Sequence, residues 1–345
     1  MIHNFGVWRT QALSQLRRGL EIRRMKSIRQ NCRFTQMIMV VNLLGTACYA
    51  LPAVAANPPI ADLAFAHDGK SVFTVSQSGV QQLEWPSLRK LRALEVSFAN
   101  LHCVALSPNG QRLAVGGGDP SEFGAVEIFS WPAGDKVVTL NGHTDSVTSA
   151  VWKDNGRLFT GSLDRAVMLY DVEQEELIHT YQGHSRGVTG LGVLETGPTL
   201  LSVGQDQSLR VWESKDNTLL RSLSQHTRPI HALAQRPQQE GLPMVATASK
   251  DRTIRIWQPT IGRMMRYVRL ESEPLDIVWT QRGEQLVAAC VDGQLHVVDP
   301  VEVTVLQVIP AIDGWAYAVA AHPNDGSVLV AGANGQLRRI ALASE

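Results

Sequence analysis

The sequence reads GHTDSVTSAVWKDNGRLFTGSLDRAVMLYD over residues 142–171, and two further copies of the same pattern follow at 183–213 and 225–258. Each copy has a histidine near its start, an aspartate 21 to 25 residues later and an aromatic residue six positions after the aspartate. The histidines are 41 and 42 residues apart, and the aspartates are 42 and 45 residues apart. A fixed period of this length is typical of a repeat architecture and excludes a single compact α/β domain.

Weaker copies of the pattern lie on both sides of this stretch. Downstream, Asp292 and Asn334 continue the spacing, and upstream residues 101–109 match residues 316–324, including a Pro-Asn turn. The spacing predicts seven units over residues 60–345, at about 60–97, 98–140, 141–181, 182–223, 224–268, 269–309 and 310–345.

Each unit contains short alternating strands separated by turn residues, with no convincing helix. In unit 5 they are expected at Ile230–Ala234, Met244–Ser249, Thr253–Trp257 and Met264–Arg269. A four-stranded sheet buries both of its faces only against neighbouring sheets, so the units must stack around an axis. The sequence therefore predicts an all-β fold, a seven-bladed β-propeller of four-stranded antiparallel blades.

These residues resemble the WD-repeat (WD40) β-propeller family, most closely in units 3–5. In that family the histidine, the turn aspartate, a Ser or Thr on the second strand and a Trp on the third strand form a hydrogen-bonded network. The resemblance implies a structural network of His143, Ser162, Asp164 and Tyr170 in unit 3, His184, Asp206 and Trp212 in unit 4, and His226, Ser249, Asp251 and Trp257 in unit 5. Unit 4 has Gly204 where the serine is expected, and units 6 and 7 lack the histidine, so no network is expected there.

A Ser, a His and an Asp that meet in space could also indicate a hydrolase. The set recurs in every clear copy at structural positions, however, and the sequence shows neither a strained nucleophile turn nor an oxyanion element. Gly116-Gly117-Gly118 is expected in an enlarged loop of unit 2, with no Lys and no following helix to hold a phosphate. We therefore expect no catalytic residues, no cofactor and, because no Cys and His spacing matches a metal site, no metal.

Charge indicates where a partner could bind. Residues 1–55 carry eight of the 32 basic and one of the 32 acidic residues, which leaves 24 basic and 31 acidic residues in the body, a net charge of −7. A mildly acidic body does not favour nucleic-acid binding. Within it, cations cluster in the turns of units 3–5, and one Trp precedes the first strand of unit 7. The candidate partner-binding residues are Arg165, Arg186, Arg228, Lys250, Arg252 and Trp315.

The N-terminal 55 residues are typical of an export signal. A basic segment begins at Met25, an apolar run follows at 37–53, and an Ala-x-Ala motif ends at Ala55. We expect cleavage after Ala55 or one residue later, with Met25 as an alternative start of translation. Two alternatives stay open: a membrane anchor formed by residues 37–55, and a lipoprotein signal at Cys48, which Gly45 disfavours.

Cleavage there has a consequence for the last blade. Only four residues would then precede the first strand at Ile60, too few to supply a fourth strand to blade 7. The last blade is therefore expected to have three strands, with a free edge on 336–341 blunted by Arg338 and Arg339. Cys103 and Cys290 fall on different blades and are not expected to form a disulfide.

The sequence favours an exported scaffold, periplasmic or extracellular, that binds a protein or peptide, with an acidic segment as the expected ligand. We expect a monomer or a member of a hetero-complex, without stable membrane insertion once the signal is cleaved. One alternative is an accessory propeller that positions a separately encoded envelope enzyme or redox protein. Another is a propeller that binds a carbohydrate or other small ligand in its central channel.

Overall fold

The computed structural model describes residues 57–194, 197, 199–237 and 241–342. These residues form 27 β-strands and two short 3-10 turns, Pro259–Ile261 and Ala333–Gly335. None of their helices is long and apolar enough to span a membrane. The predictions for residues 1–55, including the signal, its cleavage site and Met25, lie outside the described residues.

The first three sheets each contain four antiparallel strands, called a to d in chain order within a blade. Blade 1 contains β1 (Ile60–Phe65), β2 (Ser71–Ser76), β3 (Gly79–Glu84) and β4 (Lys90–Leu94). Blade 2 contains β5 (Leu101–Leu106), β6 (Arg112–Asp119), β7 (Phe123–Ser130) and β8 (Lys136–His143). Blade 3 contains β9 (Val147–Trp152), β10 (Arg157–Ser162), β11 (Ala166–Asp171) and β12 (Glu176–Gln182).

The remaining four sheets follow the same plan, except that the last has three strands. Blade 4 contains β13 (Val188–Leu194), β14 (Thr199–Gly204), β15 (Leu209–Glu213) and β16 (Leu219–Leu223). Blade 5 contains β17 (Ile230–Gln235), β18 (Val245–Ser249), β19 (Thr253–Gln258) and β20 (Arg263–Arg269). Blade 6 contains β21 (Pro274–Trp279), β22 (Leu286–Cys290), β23 (Gln294–Asp299) and β24 (Thr304–Pro310). Blade 7 contains β25 (Ala316–Ala321), β26 (Ser327–Gly332) and β27 (Leu337–Ala341).

The first strand of each blade lies on the inside of a closed ring. Strand a of each blade contacts strand a of the next, and β25 of blade 7 contacts β1 of blade 1. The second strands are buried except at end residues in some blades, whereas a fourth strand such as β16 is exposed along most of its length. This gradient explains the sequence pattern, because only a strand covered on both faces reads as a continuous apolar run. The predicted seven-bladed all-β propeller is confirmed.

Large side chains from the inner strands hold neighbouring blades together. The Trp152 indole N–H of blade 3 donates to the Ala105 carbonyl of blade 2 at 3.1 Å. Trp279 of blade 6 makes the same bond to Ala234 of blade 5, also at 3.1 Å. Both tryptophans are buried. They fill the space between blades and satisfy their one polar atom there.

The ring closes between blades 7 and 1 without a fourth strand in blade 7. Among the described residues no strand pairs with the outer edge of β27, so the predicted three-stranded blade is confirmed. Side chains bridge the seam instead: the Trp85 indole donates to Asp325 at 2.9 Å, and Arg339 pairs with Asp325 at 3.3 Å and stacks over Trp85. On the other side of blade 7, Arg338 donates to the Pro310 carbonyl of blade 6 at 2.9 Å.

The glycine run of blade 2 lies in a strand, and the prediction of a loop there was wrong. Strand β6 extends to Asp119 and β7 begins at Phe123, so Gly116–Gly118 pair within the sheet. A Cβ atom on Gly117 would lie 2.5 Å from the Asn100 carbonyl oxygen, and one on Gly118 would lie 2.2 Å from that of Phe123. Close approach of backbones therefore explains why glycines occupy these positions.

Candidate functional site

Blade 5 contains a complete chain of buried hydrogen bonds. The Trp257 indole N–H donates to the Thr247 hydroxyl at 2.8 Å, and that hydroxyl lies 2.7 Å from Nε2 of His226. Nδ1 of His226 lies 2.8 Å from the Asp251 carboxylate. The indole can only donate, so the Thr247 hydroxyl donates onward to Nε2, and the Nδ1–H of a neutral imidazole donates to Asp251. Each group in the series therefore donates a hydrogen bond to the next, from Trp257 on strand c to Asp251 in the b–c turn.

Blade 4 repeats this arrangement with a serine. Nε2 of His184 lies 2.7 Å from the Ser202 hydroxyl, which also accepts the Trp212 indole N–H at 2.8 Å. Nδ1 of His184 lies 2.9 Å from Asp206. The prediction that unit 4 lacks this hydroxyl was wrong, because Ser202 lies two residues before Gly204 on the same strand.

In blade 3 the same series of hydrogen bonds forms without a bond from the aromatic residue of strand c. His143 lies 2.8 Å from Asp164 and 2.7 Å from the Thr160 hydroxyl. Tyr170 is buried, but its hydroxyl donates to the Asn141 carbonyl at 3.0 Å. The assignment of Tyr170 to the network is therefore corrected: it fills the position of the Trp but bonds to the backbone.

The serines predicted for this network have a different role. The Ser249 hydroxyl donates to the Pro229 carbonyl at 2.9 Å and accepts the backbone N–H of Asp251 at 3.1 Å. The Ser162 hydroxyl does the same in blade 3: it donates to the backbone carbonyl of Asp145 at 2.7 Å and accepts the backbone N–H of Asp164. These serines therefore brace the turn that presents the aspartate, while the network hydroxyl lies two residues earlier.

Electrostatics agrees with a structural role. Burial raises the pKa of Asp251, but hydrogen bonds from His226 and Thr253 outweigh it and hold that pKa well below its usual range. Asp206 is held low in the same way by His184 and Ser208. Burial lowers the pKa of His226, which favours its neutral form. The network hydroxyls are fully buried, so a substrate cannot reach them.

Blades 6 and 7 replace this network with apolar residues. Leu270 and Ile312 occupy the position of the histidine, four residues before strand a, and both are buried. Strand b of blade 6 has Ala288 at the position of Thr247, and strand c has Val298 at the position of Trp257. The turn aspartate Asp292 remains, with 36% of its side chain exposed, compared with 6% for Asp251.

The cations predicted to bind a partner lie at one end of the propeller, here called the loop face. It carries the b–c turns and the loops that enter each blade, which bond to each other: the Lys250 N–H donates to the Pro229 carbonyl at 2.9 Å. Five cations on this face are exposed, and none forms an ion pair with a described residue; they are Arg165, Arg186, Arg228, Lys250 and Arg252.

Adjacent loops carry the first two of these cations. A Cβ atom on Gly187 would lie 3.0 Å from Cα of Leu163, so the loop holding Arg186 packs against the turn holding Arg165. Arg252 makes one weak contact, from Nη1 to the Glu271 carbonyl at 3.4 Å. The guanidinium and ammonium groups are therefore available to an anionic ligand.

Comparison with known proteins identifies the repeat. The model of the WD domain, G-beta repeat, matches residues 134–171, 175–213 and 217–258. The chain contains WD repeats. Each match contains strand d of one blade and strands a to c of the next, so the three matches include the His–Asp pairs of blades 3, 4 and 5.

Curated relatives share these WD repeats at low identity. The chain is 31% identical over 206 residues to the anaphase-promoting complex subunit cdc20 of Dictyostelium discoideum, covering 59% of this chain and 40% of that protein. It is 28% identical over 180 residues to the WD repeat-containing protein srw1 of Schizosaccharomyces pombe, covering 52% and 32%. It is 29% identical over 191 residues to the cell division cycle 20.1 cofactor of the APC complex of Arabidopsis thaliana, covering 53% and 41%. The matches span less than half of the length of these relatives.

The WD-repeat ring encloses a central cavity of about 560 Å³. Two carboxylates in its wall were not predicted from the sequence. Asp62 of blade 1 accepts the Val104 N–H of blade 2 at 2.9 Å, and Asp276 of blade 6 accepts the Val319 N–H of blade 7 at 2.8 Å. Burial raises the pKa of Asp276 to about 6, and burial together with the charge of Asp276 raises that of Asp62 to about 7. These residues latch neighbouring inner strands together.

Trp315 lies on the loop face beside this cavity. Half of its surface is exposed, and its ring centroid lies 5.9 Å from that of Tyr317, which lines the cavity. Of the neighbouring acids, Glu273 is paired with His231 at 2.8 Å, whereas Glu271 and Asp313 are exposed. The cations and the aromatic pair therefore occupy different blades of the same face.

Proposed function

We propose that this WD-repeat propeller is a non-catalytic scaffold that binds an acidic segment of a partner protein on its loop face. The observation that carries the proposal is the set of five exposed cations on blades 3–5 that form no ion pair with a described residue, in a body with a net charge of −7. Such residues remain hydrated until a ligand arrives, and Arg is a residue type that anchors interfaces. Two of the similar proteins are named as a subunit and a cofactor of the anaphase-promoting complex, which is consistent with binding to other proteins.

A matched pair of charge-reversal variants tests this proposal. Arg228→Glu with Lys250→Glu alters the loop face of blade 5. Lys215→Glu with Arg282→Glu makes the same change in net charge in exposed loops at the opposite end, between strands c and d of blade 4 and strands a and b of blade 6. The probe is a labelled poly-glutamate peptide, with binding followed by fluorescence anisotropy at two salt concentrations.

We expect the loop-face variant to weaken binding of the peptide at least ten-fold, which corresponds to about 1.4 kcal/mol, while the control variant retains it. Binding to the unmodified chain should weaken as salt rises, because the contact is electrostatic. Equal losses in both variants, or none in either, would show that the loop face is not the binding surface.

We also propose that the chain is exported, with residues 1–55 removed. The support is the order of basic segment, apolar run and Ala-x-Ala motif in the sequence. N-terminal sequencing of the protein from a fractionated cell should find Ala56 or Asn57 as the first residue, outside the cytoplasm. A chain that begins at Met1 or Met25 in the cytoplasmic fraction would refute export.

A second candidate function is the binding of a small ligand, such as a carbohydrate, in the central cavity. Tyr317 in the cavity wall and the exposed Trp315 beside it favour this candidate, because sugars stack on aromatic rings. Indole fluorescence of Trp315 would then respond to a glycan, and Trp315→Ala would remove the response. An unchanged spectrum across a panel of envelope glycans would exclude this candidate.

A further inference from the structure

Blade 6 brings together three side chains whose atoms bind transition metals. Cys290 ends strand β22, Asp292 lies in the turn that follows, and His296 lies on strand β23. The Cys sulfur, a carboxylate oxygen and an imidazole nitrogen all lie within 4.8 Å of one another. Among the described residues, no other group of three Cys, His, Asp or Glu side chains meets as closely.

His296 provides independent support for a ligand at this position. Its side chain is 95% buried, and neither ring nitrogen has a hydrogen-bond partner among the described residues. A buried polar group without a hydrogen-bond partner destabilises the fold, so such groups are rare unless they have a further role. A metal ion would satisfy one nitrogen, because neutral imidazole is a common ligand.

The distances leave room for an ion. Nε2 of His296 lies 3.9 Å from Oδ2 of Asp292, too far for a hydrogen bond. Nitrogen and oxygen ligands bind zinc at about 2.0–2.2 Å, so in a tetrahedral site they are separated by roughly 3.4 Å. A side-chain movement of about 0.5 Å would therefore bring both atoms onto one ion.

The loss of the polar network in blade 6 explains why no histidine or hydroxyl of the network pairs with these side chains. In blade 5, His226 holds Asp251, whereas in blade 6 Leu270 leaves Asp292 without a histidine. Cys290 takes the position of Ser249, the serine that braces the turn in blade 5. His296 is paired across the sheet with Ala288, which has no hydroxyl to offer the imidazole.

We propose that Cys290, Asp292 and His296 bind a zinc ion at the b–c turn of blade 6. A thiolate, an imidazole and a carboxylate together favour zinc over magnesium or calcium, which prefer oxygen ligands only. The half-exposed Asp292 places the fourth coordination position towards solvent. The site lies on the blade 6 part of the loop face, away from the cations of blades 3–5, and does not depend on the proposed binding of an acidic segment.

The test uses the full chain, stripped of metal with a chelator and then titrated with Co²⁺ as a spectroscopic substitute for Zn²⁺. We expect one Co²⁺ per chain with an absorption band from sulfur-to-cobalt charge transfer, and we expect one equivalent of Zn²⁺ to abolish it. Cys290→Ser should remove the band. His296→Gln and Asp292→Asn should each weaken Zn²⁺ binding at least ten-fold.

Two controls separate loss of a ligand from loss of the fold. Cys103→Ser, and Cys32→Ser with Cys48→Ser, should keep the band, because these cysteines are not among the three proposed ligands. Asp292 is exposed enough that Asp292→Asn should not change the unfolding midpoint of the metal-free chain. Absence of the sulfur band, or Zn²⁺ binding that is unchanged by both His296→Gln and Asp292→Asn, would overturn the proposal.

Discussion

Blades 5 and 6 are neighbours with the same strand plan, yet their interiors differ in polarity. Blade 5 links Trp257, Thr247, His226 and Asp251 by hydrogen bonds of 2.7–2.8 Å. Blade 6 has apolar residues at the first three of these positions and keeps only Asp292. Both blades form complete four-stranded sheets in one ring. The hydrogen-bonded network is therefore one of two ways to fill a blade, and the fold itself does not require it.

The same comparison shows why the turn aspartate should contribute more to stability in blade 5 than in blade 6. The turn of blade 6 forms with a half-exposed carboxylate that accepts the N–H of Gln294 at 3.1 Å. In blade 5 the equivalent carboxylate lies 2.8 Å from Nδ1 of the buried His226 and accepts its N–H. Removing Asp251 therefore leaves a buried group without its partner, whereas removing Asp292 exposes turn atoms to water.

The largest expected effect is a difference between these two aspartates. Asp251→Ala should lower the free energy of unfolding by about 3–5 kcal/mol, because it removes hydrogen bonds from His226 and Thr253 to a charged carboxylate, each worth about 1.5–3 kcal/mol, and leaves a buried imidazole N–H without its acceptor. Asp292→Ala should cost less than about 1 kcal/mol in the presence of a chelator, as is usual for exposed turn residues. Urea unfolding followed by tryptophan fluorescence measures both. Equal costs would show that the network adds nothing to the turn.

Asp62 in the cavity wall and the network aspartates Asp206 and Asp251 should stabilise the fold over different ranges of pH. Asp62 has its pKa raised to about 7, so between about pH 4 and pH 7 the folded chain keeps a proton that the unfolded chain has released. Its contribution is therefore present at low pH and is lost as pH rises through 7, by at most about 4 kcal/mol. Asp206 and Asp251 have lowered pKa values, so their contribution is present above about pH 4 and is lost in stronger acid.

Serine substitutions test this assignment of the pH response. Ser149 occupies the same position in strand a of blade 3 as Asp62 and Asp276 do in their blades. Its hydroxyl, which does not titrate, accepts the Leu191 N–H of the next blade at 3.1 Å. Asp62→Ser with Asp276→Ser should therefore retain the fold and flatten the dependence of unfolding free energy on pH between 5 and 8. If the double variant keeps the full slope of the unmodified chain, the latch aspartates are not its source.

A smaller effect distinguishes the two hydroxyls of strand β18. Thr247→Val should cost about 2–3 kcal/mol, because it leaves both the Trp257 N–H and Nε2 of His226 unsatisfied. Ser249→Ala should cost about 1 kcal/mol, because it removes hydrogen bonds from a turn that other backbone bonds also hold. Chemical denaturation of the two variants gives the order, and a larger cost at Ser249 would restore the arrangement expected from the sequence.

The sequence predicted the blades well and the network hydroxyl poorly. Landmarks recur with the period of a blade, so spacing alone locates seven sheets, whereas the three-stranded blade 7 was predicted from the few residues left before Ile60 after the expected cleavage. Residues two apart on a strand point to the same face, so Thr160 and Ser162 are equally plausible members of the network from the sequence. The signal that separates them was Ser202, since positions 160, 202 and 247 have a hydroxyl in all three copies while position 204 is glycine.

Contacts between blades left less trace in the sequence. Asp62 and Asp276 lie on inner strands, and their partners belong to the next blade around the ring. No local sequence pattern predicts a hydrogen bond between residues about 42 positions apart. His296 and Cys290 were missed because their spacing follows the strand register of one blade and none of the familiar zinc motifs.

The histidine is the proposed cause of the difference between blades 5 and 6, and a double-mutant cycle tests this directly. In a His226→Leu background, blade 5 has the residue that blade 6 has at Leu270. Asp251→Ala should then cost at least about 1.5 kcal/mol less unfolding free energy than in the unmodified chain, because the hydrogen bond from the imidazole is already absent and only those from Thr227 and Thr253 remain to be lost. If Asp251→Ala costs as much without the histidine as with it, the two substitutions are additive and the account of the network is wrong.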